Sequence, residues 1–152
     1  MDDEIRILAI DQASNCGWAM DKDIYGTWDF NTRKDESLGM KWLRFRAKLK
    51  EVTEIQGTNV IAYERPAGQH ANSIIHSAKM IAIIETFCEE NKIDYRCFSA
   101  SEVKKFATGK GNAGKPLMIS SAKEKLGYEG NDDNEADALW ILELTKHSLN
   151  IK

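Results

Sequence analysis

With 152 residues, 42% of them hydrophobic and 30% charged, the chain holds enough apolar material for one domain with a full-sized core. Its two prolines and absence of biased tracts argue against long disordered linkers, and no apolar run approaches the roughly 18 residues of a membrane helix. The formal charge of −3 weighs weakly against a nucleic-acid partner.

The acidic opening Met1-Asp2-Asp3-Glu4 lacks the basic region of a secretory leader. It runs straight into Ile5 to Ile10, a nearly continuous apolar strand buried on both faces. Asn15 to Met20 and Ile24 to Phe30 read as two further strands joined by a turn at Asp21-Lys22-Asp23, an antiparallel meander. Leu38, Trp42, Phe45, Leu49 and Val52 recur at steps of four and three and predict an amphipathic helix, closed by Gly57 and Asn59. A fourth strand covers Val60 to Tyr63, and Pro66 and Gly68 break the chain after Glu64. A second helix is expected from Asn72 to about Asn91 with Ile74, Ala78, Ile81 and Cys88 on one stripe, then a short strand from Asp94 to Phe98.

Ser99-Ala100-Ser101-Glu102 fits a capping box opening a short helix that ends near Phe106. Gly109, Gly111 and Gly114 form a loop, Pro116 suits the first turn of the next helix, and Gly127 and Gly130 stop it. The last helix runs from Asn134 to about Ser148, with Ala138, Ile141 and Leu142 for packing. Three strands followed by alternating helices and strands predict an α/β layered fold with a mixed sheet, in a single domain spanning residues 1–152.

Asp11 and Glu64 each end an apolar strand, where an acid is costly to bury unless a metal or cation compensates it. If the two strands are parallel neighbours, both acids emerge at the edge where open α/β sheets collect ligands. Asn134 and Asp137, three apart, can project from one face of the last helix, while Asp133 suits its N-cap or a ligand position and Asp132 lies beside it. Converging acids of this kind are what Mg²⁺ or Mn²⁺ needs beside a phosphate, and a pair of ions roughly 4 Å apart can activate water and stabilise the leaving oxygen. Two segments rich in Lys and Arg, from Arg33 to Lys50 and from Arg96 to Lys125, would surround such a centre with positive charge. Taken singly, each lysine reads better as part of a solvated helix face.

These residues resemble the RuvC family of Holliday-junction resolvases, within the RNase H-like nuclease superfamily, most closely its phage-type members. The resemblance runs from Ile7-Leu8-Ala9-Ile10-Asp11 to Glu135-Ala136-Asp137-Ala138-Leu139. Its most specific part is the stretch from Val103-Lys104 through Thr108-Gly109, Gly111 and Ala113 to Lys115. The resemblance implies an RNase H-like three-layer fold, a central mixed five-stranded sheet flanked by helices. It implies a homodimer that nicks two strands of a four-way junction symmetrically with Mg²⁺, Mn²⁺ as a possible substitute, and two ions per site. It makes Asp11, Glu64 and Asp137 metal ligands, with Lys104 and Lys115 near the scissile phosphate, Lys115 in the catalytic set. Lys105, Lys110, Arg65 and His70 extend the expected DNA surface. Two positions depart from the family pattern. Asn134 stands at the penultimate ligand, leaving Asn134, Asp133 or Asp132 to complete the site, and Pro66-Ala67-Gly68 replaces an aromatic wedge, which favours relaxed action on branched DNA. RNA, RNA–DNA hybrid or flap cleavage, and junction binding without cleavage, are the alternatives.

Other patterns carry less. Gly109 to Lys115 matches the first seven positions of a P-loop, but Pro116 stands where Ser or Thr should bind Mg²⁺ and a helix precedes it, so no nucleotide cofactor is expected. His70 and His76 lack zinc-site spacing and read as DNA contacts or surface polarity. Cys16, Cys88 and Cys97, odd in number and without CxxC spacing, read as reduced thiols in or near the core of an intracellular, cytoplasmic protein. Trp18, Trp28, Trp42 and Trp140 are expected in the core or a dimer contact, outside any basic stacking platform, and the stripe of the second helix is a candidate dimer seam.

Overall fold

Alternation along the buried strands divides the protein into layers. In the computed structural model, which describes residues 4–66, 68 and 70–151, the elements run β1 (Ile7–Asp11), β2 (Asn15–Asp21), β3 (Ile24–Asp29), α1 (Gly39–Gln56) and β4 (Val60–Glu64). They continue with α2 (Ala71–Asn91), β5 (Asp94–Phe98), α3 (Ala100–Thr108), α4 (Lys115–Leu126) and α5 (Asp133–Ser148). The expected acidic opening Met1 to Asp3 and the Ala67 of the wedge departure lie outside the described residues. Among the described residues no helix is long and apolar enough to cross a membrane.

The five strands form one mixed sheet in the order β3-β2-β1-β4-β5, antiparallel across β3-β2-β1 and parallel across β1-β4-β5. Successive side chains of a strand face opposite sides. Leu8 and Ile10 of β1, with Ile61 and Tyr63 of β4, meet Phe45 and Leu49 of α1 and Met80, Ile84, Phe87 and Cys88 of α2. Ile7 and Ala9, with Val60 and Ala62, meet the second layer of helices through Val103, Ala107, Met118, Ala122 and the apolar face of α5. A fully buried Leu8, Ile10 or Ile61 contributes about 1.5–3 kcal/mol by leaving water.

Three details differ from expectation. The packed stripe of α2 is Met80, Ile84, Phe87 and Cys88, while Ile74 and Ala78 are exposed. The other two members of the expected stripe hold: Ile81 packs against the same core as Cys88, so the helical period gives the face of the C-terminal half and fails in the N-terminal half. Gly130 stops nothing, because α4 already ends at Gly127, whose φ of +72° is left-handed and suits glycine. Cys97 is exposed, whereas Cys16 and Cys88 are buried.

The start of α5 is held tightly. Asp132, not Asp133, is its N-cap: one carboxylate oxygen accepts from the Asn134 amide at 2.8 Å and the other from Thr27 Oγ1 at 3.0 Å. The Asp132 amide in turn donates to the Tyr128 hydroxyl at 2.9 Å. Replacing Asp132 by Ala should lower stability by about 1 kcal/mol, the usual cost of a lost cap, as read from urea unfolding. An unchanged midpoint would show that the cap contributes nothing.

Candidate active site

Strand parity and register bring the first two acids together. Asp11 follows Ile7 and Ala9 on the side of β1 that faces α5, and Glu64 follows Val60 and Ala62 on the same side of β4. The parallel register pairs Ile10 with Tyr63, so Asp11 and Glu64 leave the sheet side by side at the carboxyl ends of neighbouring strands. Gln12 locks the two ends: its Nε2 donates to the Glu64 carbonyl and to Ser77 Oγ (3.1 Å), and its Oε1 accepts from the Glu64 amide (3.4 Å).

The closing helix supplies the remaining acids. Gly17 of β2 lies directly beneath its first turn: a Cβ there would stand 2.0 Å from the backbone oxygen of Asn134. This close approach sets α5 on the sheet beside Asp11. With Asp132 as the cap, Asp133 opens the helix and Asp137 follows one turn later, so the two share a face.

The acids feel one another. Burial pushes the Asp11 carboxyl well above the usual carboxylate range, and the charges of Asp137, Glu64, Asp133 and Asp132 push it further. Asp137 rises to about 7, first by burial, then through Glu64 and Asp133, with Lys104 and Lys115 acting in the opposite direction. Burial also raises Glu64, against the pull of Lys104. No three of the described acids are drawn within reach of a single point. Glu64 and Asp137 nevertheless lie close enough to Asp11 for their charges to raise its proton affinity. Such an all-oxygen, anionic donor set suits a hard divalent cation, and no described lysine or arginine forms an ion pair with Asp11, Glu64 or Asp137.

Two clefts meet at Glu64. One, of about 260 Å³, runs between Glu64, Asp137, Lys104, Gly114 and Lys115. Lys115 Nζ lies 3.4 Å from Asp133 Oδ2, and the Ser99–Glu102 capping box anchors the helix that carries Lys104. The other cleft, of about 490 Å³, opens toward α2 and is lined by Asp11, Gln12, Ser14, Glu64, Arg65 and His76, among others. Of the remaining expected DNA contacts, Arg65 is exposed and pairs with Glu102 at 3.4 Å, and His70 is the exposed N-cap of α2. Lys105 and Lys110 are exposed on the last turn of α3 and the loop after it.

Sequence reasoning missed Gly17, Gln12, Ser14 and Lys41 as parts of this region, and left His76 between a DNA contact and surface polarity. Lys41 of α1 is 7% exposed, and its Nζ donates to Ser14 Oγ at 2.7 Å and to His76 Nε2 at 3.1 Å. Only the directly preceding strand end hinted at Gln12 and Ser14; the other contacts join residues far apart in sequence. Two tryptophans expected in the core or a dimer contact also meet lysines. Lys79 and Lys41 lie 5.7 and 5.9 Å from the Trp42 ring, and Lys48 lies 6.0 Å from Trp28. Trp140 alone is fully in the core.

Neither the protein-family models nor the curated proteins include a match to the chain. Solved structures do match. RuvC of Thermus thermophilus in complex with a Holliday junction substrate superimposes with a TM-score of 0.73 at 18% identity, over 91% of this chain and 90% of that one. A second structure of Thermus thermophilus RuvC gives 0.67 at 16% identity, over 96% and 97%. The yeast mitochondrial Holliday junction resolvase Ydc2 gives 0.60 at 11% identity, over 90% and 75%. The sheet order, the helix layers and these superpositions agree: the chain has the RNase H-like fold of the RuvC resolvases.

Proposed function

We propose that this protein is a divalent-metal-dependent endonuclease that resolves four-way DNA junctions, and related branched DNA, by paired nicks in phosphodiester bonds. The observation that carries this reading is that Glu64 and Asp137 share one cleft with Lys104 and Lys115, and that the charges of both acids act on the buried Asp11 beside them. The likeness in fold to a resolvase bound to a Holliday junction supports it. Asp11, Glu64, Asp137 and Asp133 would hold the ions, two Mg²⁺ per site with Mn²⁺ as substitute. Asp133 is preferred over Asn134 as the fourth ligand because its charge already acts on both Asp11 and Asp137. Ions held there supply an activated water and stabilise charge on the leaving oxygen.

The chain's own residues do the positioning. Gln12 fixes the separation of the Asp11 and Glu64 strand ends, and Gly17 with the Asp132 cap sets α5 against them. Lys104 and Lys115, across the smaller cleft, hold the phosphodiester and offset the charge it gains in the transition state. Paired nicks require a homodimer, and the exposed Ile74 and Ile75 on α2 offer an apolar contact for it.

A panel of labelled four-way, flap, hybrid and plain duplex substrates with Mg²⁺ tests the reading. Paired nicks in the four-way junction are expected. Cleavage confined to the hybrid would move the protein to the RNA-directed class, and tight junction binding without product would make it a binding module.

The same acids predict how stability responds to pH. Their proton affinity is higher in the folded protein than in the unfolded chain, so folding is favoured while they are protonated and is weakened as pH rises through the folded value, about 7 for Asp137. Without metal, the melting temperature should therefore fall between about pH 5 and about pH 8. Mg²⁺ should raise it most at the higher pH, by about 2.7 kcal/mol of stability at a hundredfold excess over the dissociation constant. A metal response independent of pH would contradict the assigned ligands.

A further inference from the structure

Lys41 is a buried cation without an acidic partner: among the described residues no carboxylate lies within ion-pair distance of it. Burying an ammonium this way is costly, and an apolar side chain would serve the packing of α1 better. What the ammonium does is hold two groups on the wall of the larger cleft, Ser14 and His76, which share that cleft with Asp11 and Glu64.

The chemistry of the three groups fixes their proton arrangement. An ammonium can only donate, so Nε2 of His76 must accept, and the ring is the neutral tautomer carrying its proton on Nδ1. Ser14 Oγ also lies 3.3 Å from Nε2, but the shorter, charge-assisted bond from Lys41 takes that lone pair. The Ser14 hydroxyl accepts from Lys41 and keeps its own proton for another acceptor. The His76 Nδ1–H has no protein acceptor among the described residues. Burial and the charges of Lys41 and Lys79 lower the proton affinity of His76, in keeping with a neutral ring. Trp42, 5.2 Å away, braces the ring's flank.

We propose that Ser14 Oγ–H and His76 Nδ1–H form a second phosphate subsite, holding a backbone phosphate next to the scissile one on the α2 side of Asp11 and Glu64, with Lys41 as the residue that positions both donors. The inference rests on the reading of the protein as a DNA-processing enzyme. The scissile phosphate lies between the acids and Lys104 and Lys115, and the strand continues into the larger cleft, where neutral donors grip it without competing for the metal ligands. Asn72 and Ser73, from the first turn of α2, line the same cleft.

Binding of a four-way junction in Ca²⁺, followed by fluorescence anisotropy, tests this with methylphosphonate replacing one phosphate at a time along the cleaved strand. In the native protein one neutralised position flanking the cut should weaken binding about tenfold, the scale of a hydrogen bond to a charged group. The Ser14→Ala, His76→Phe double variant should bind the unmodified junction about a hundredfold more weakly, if each donor is worth that much, and should lose nothing more at that position. His76→Asn, which keeps a donor near the Nδ1 position, should recover most of the loss, whereas Lys41→Met should resemble the double variant while melting as a folded protein. Penalties that multiply at every methylphosphonate position would overturn the subsite, as would His76→Asn binding no better than His76→Phe. Cleavage of the unmodified junction in Mg²⁺ is scored separately. A native protein that binds but never cuts would sink the nuclease reading while the binding measurements still decide the subsite, and one that binds no branched DNA would remove both.

Discussion

Asp11→Asn is expected to slow junction cleavage by at least about a thousandfold, since the several kcal/mol a bound metal contributes to the transition state correspond to that factor or more. The substitution keeps size and shape and removes only the negative oxygen, so the strand end and its Gln12 lock should survive. Junction binding should survive too, and at low salt it should tighten, because one charge facing the phosphodiester is gone. The same change should make the metal-free protein more stable: Asp11 is held well above its ordinary proton affinity by burial and by Asp137, Glu64 and Asp133, and the amide feels none of this. Glu64→Gln and Asp137→Asn should follow the same pattern. Loss of cleavage with a gain in stability is the signature of a group kept for chemistry rather than for the fold. Three variants that cut the junction at the native rate would end the metal-site assignment.

Gly17→Ala should be the most damaging small substitution away from the acids. Its new Cβ would sit 2.0 Å from the Asn134 oxygen and 2.4 Å from its carbonyl carbon, both backbone atoms of a capped helix. Neither can rotate aside, so α5 must lift by more than about 1 Å to reach ordinary contact, at the 1–3 kcal/mol or more typical of overpacking. Because Asp133 and Asp137 ride on the displaced turn, cleavage should fall about a hundredfold, the scale of a misplacement of this size. Urea unfolding and single-turnover cleavage on the same preparation read the two effects. A Gly17→Ala protein that is as stable and as active as the native one would show that the close approach of β2 and α5 is not needed.

Much of the architecture was legible in the chain because the physics behind it is local. Ile7 to Ile10 and Val60 to Tyr63 are apolar on both faces, which only a strand covered by helices on each side tolerates. The Ser99–Glu102 box and the turn at Asp21-Lys22-Asp23 each act within four residues, and both stand where the sequence places them. The stripe of α2 was legible at Ile81 and Cys88 but not at Ile74 and Ala78, which repeat at the right interval yet are exposed, because burial depends on what packs against each turn.

The site divides in the same way. An acid at the end of a buried strand is unusual enough to single out Asp11 and Glu64 from the sequence, and Asp137 followed from its place on the closing helix and from the family resemblance. Sequence alone therefore determined the fold class and singled out three candidate acids, because strand burial and helical period are properties of neighbouring residues. Which residue caps α5 was decided in three dimensions: Thr27 reaches the Asp132 carboxylate from β3, and Gly17 of β2 lies against the Asn134 backbone. The joining of Lys41, Ser14 and His76 into one polar wall was likewise decided only in three dimensions, by the packing of α1 and α2 against the end of β1, across separations that no local pattern records.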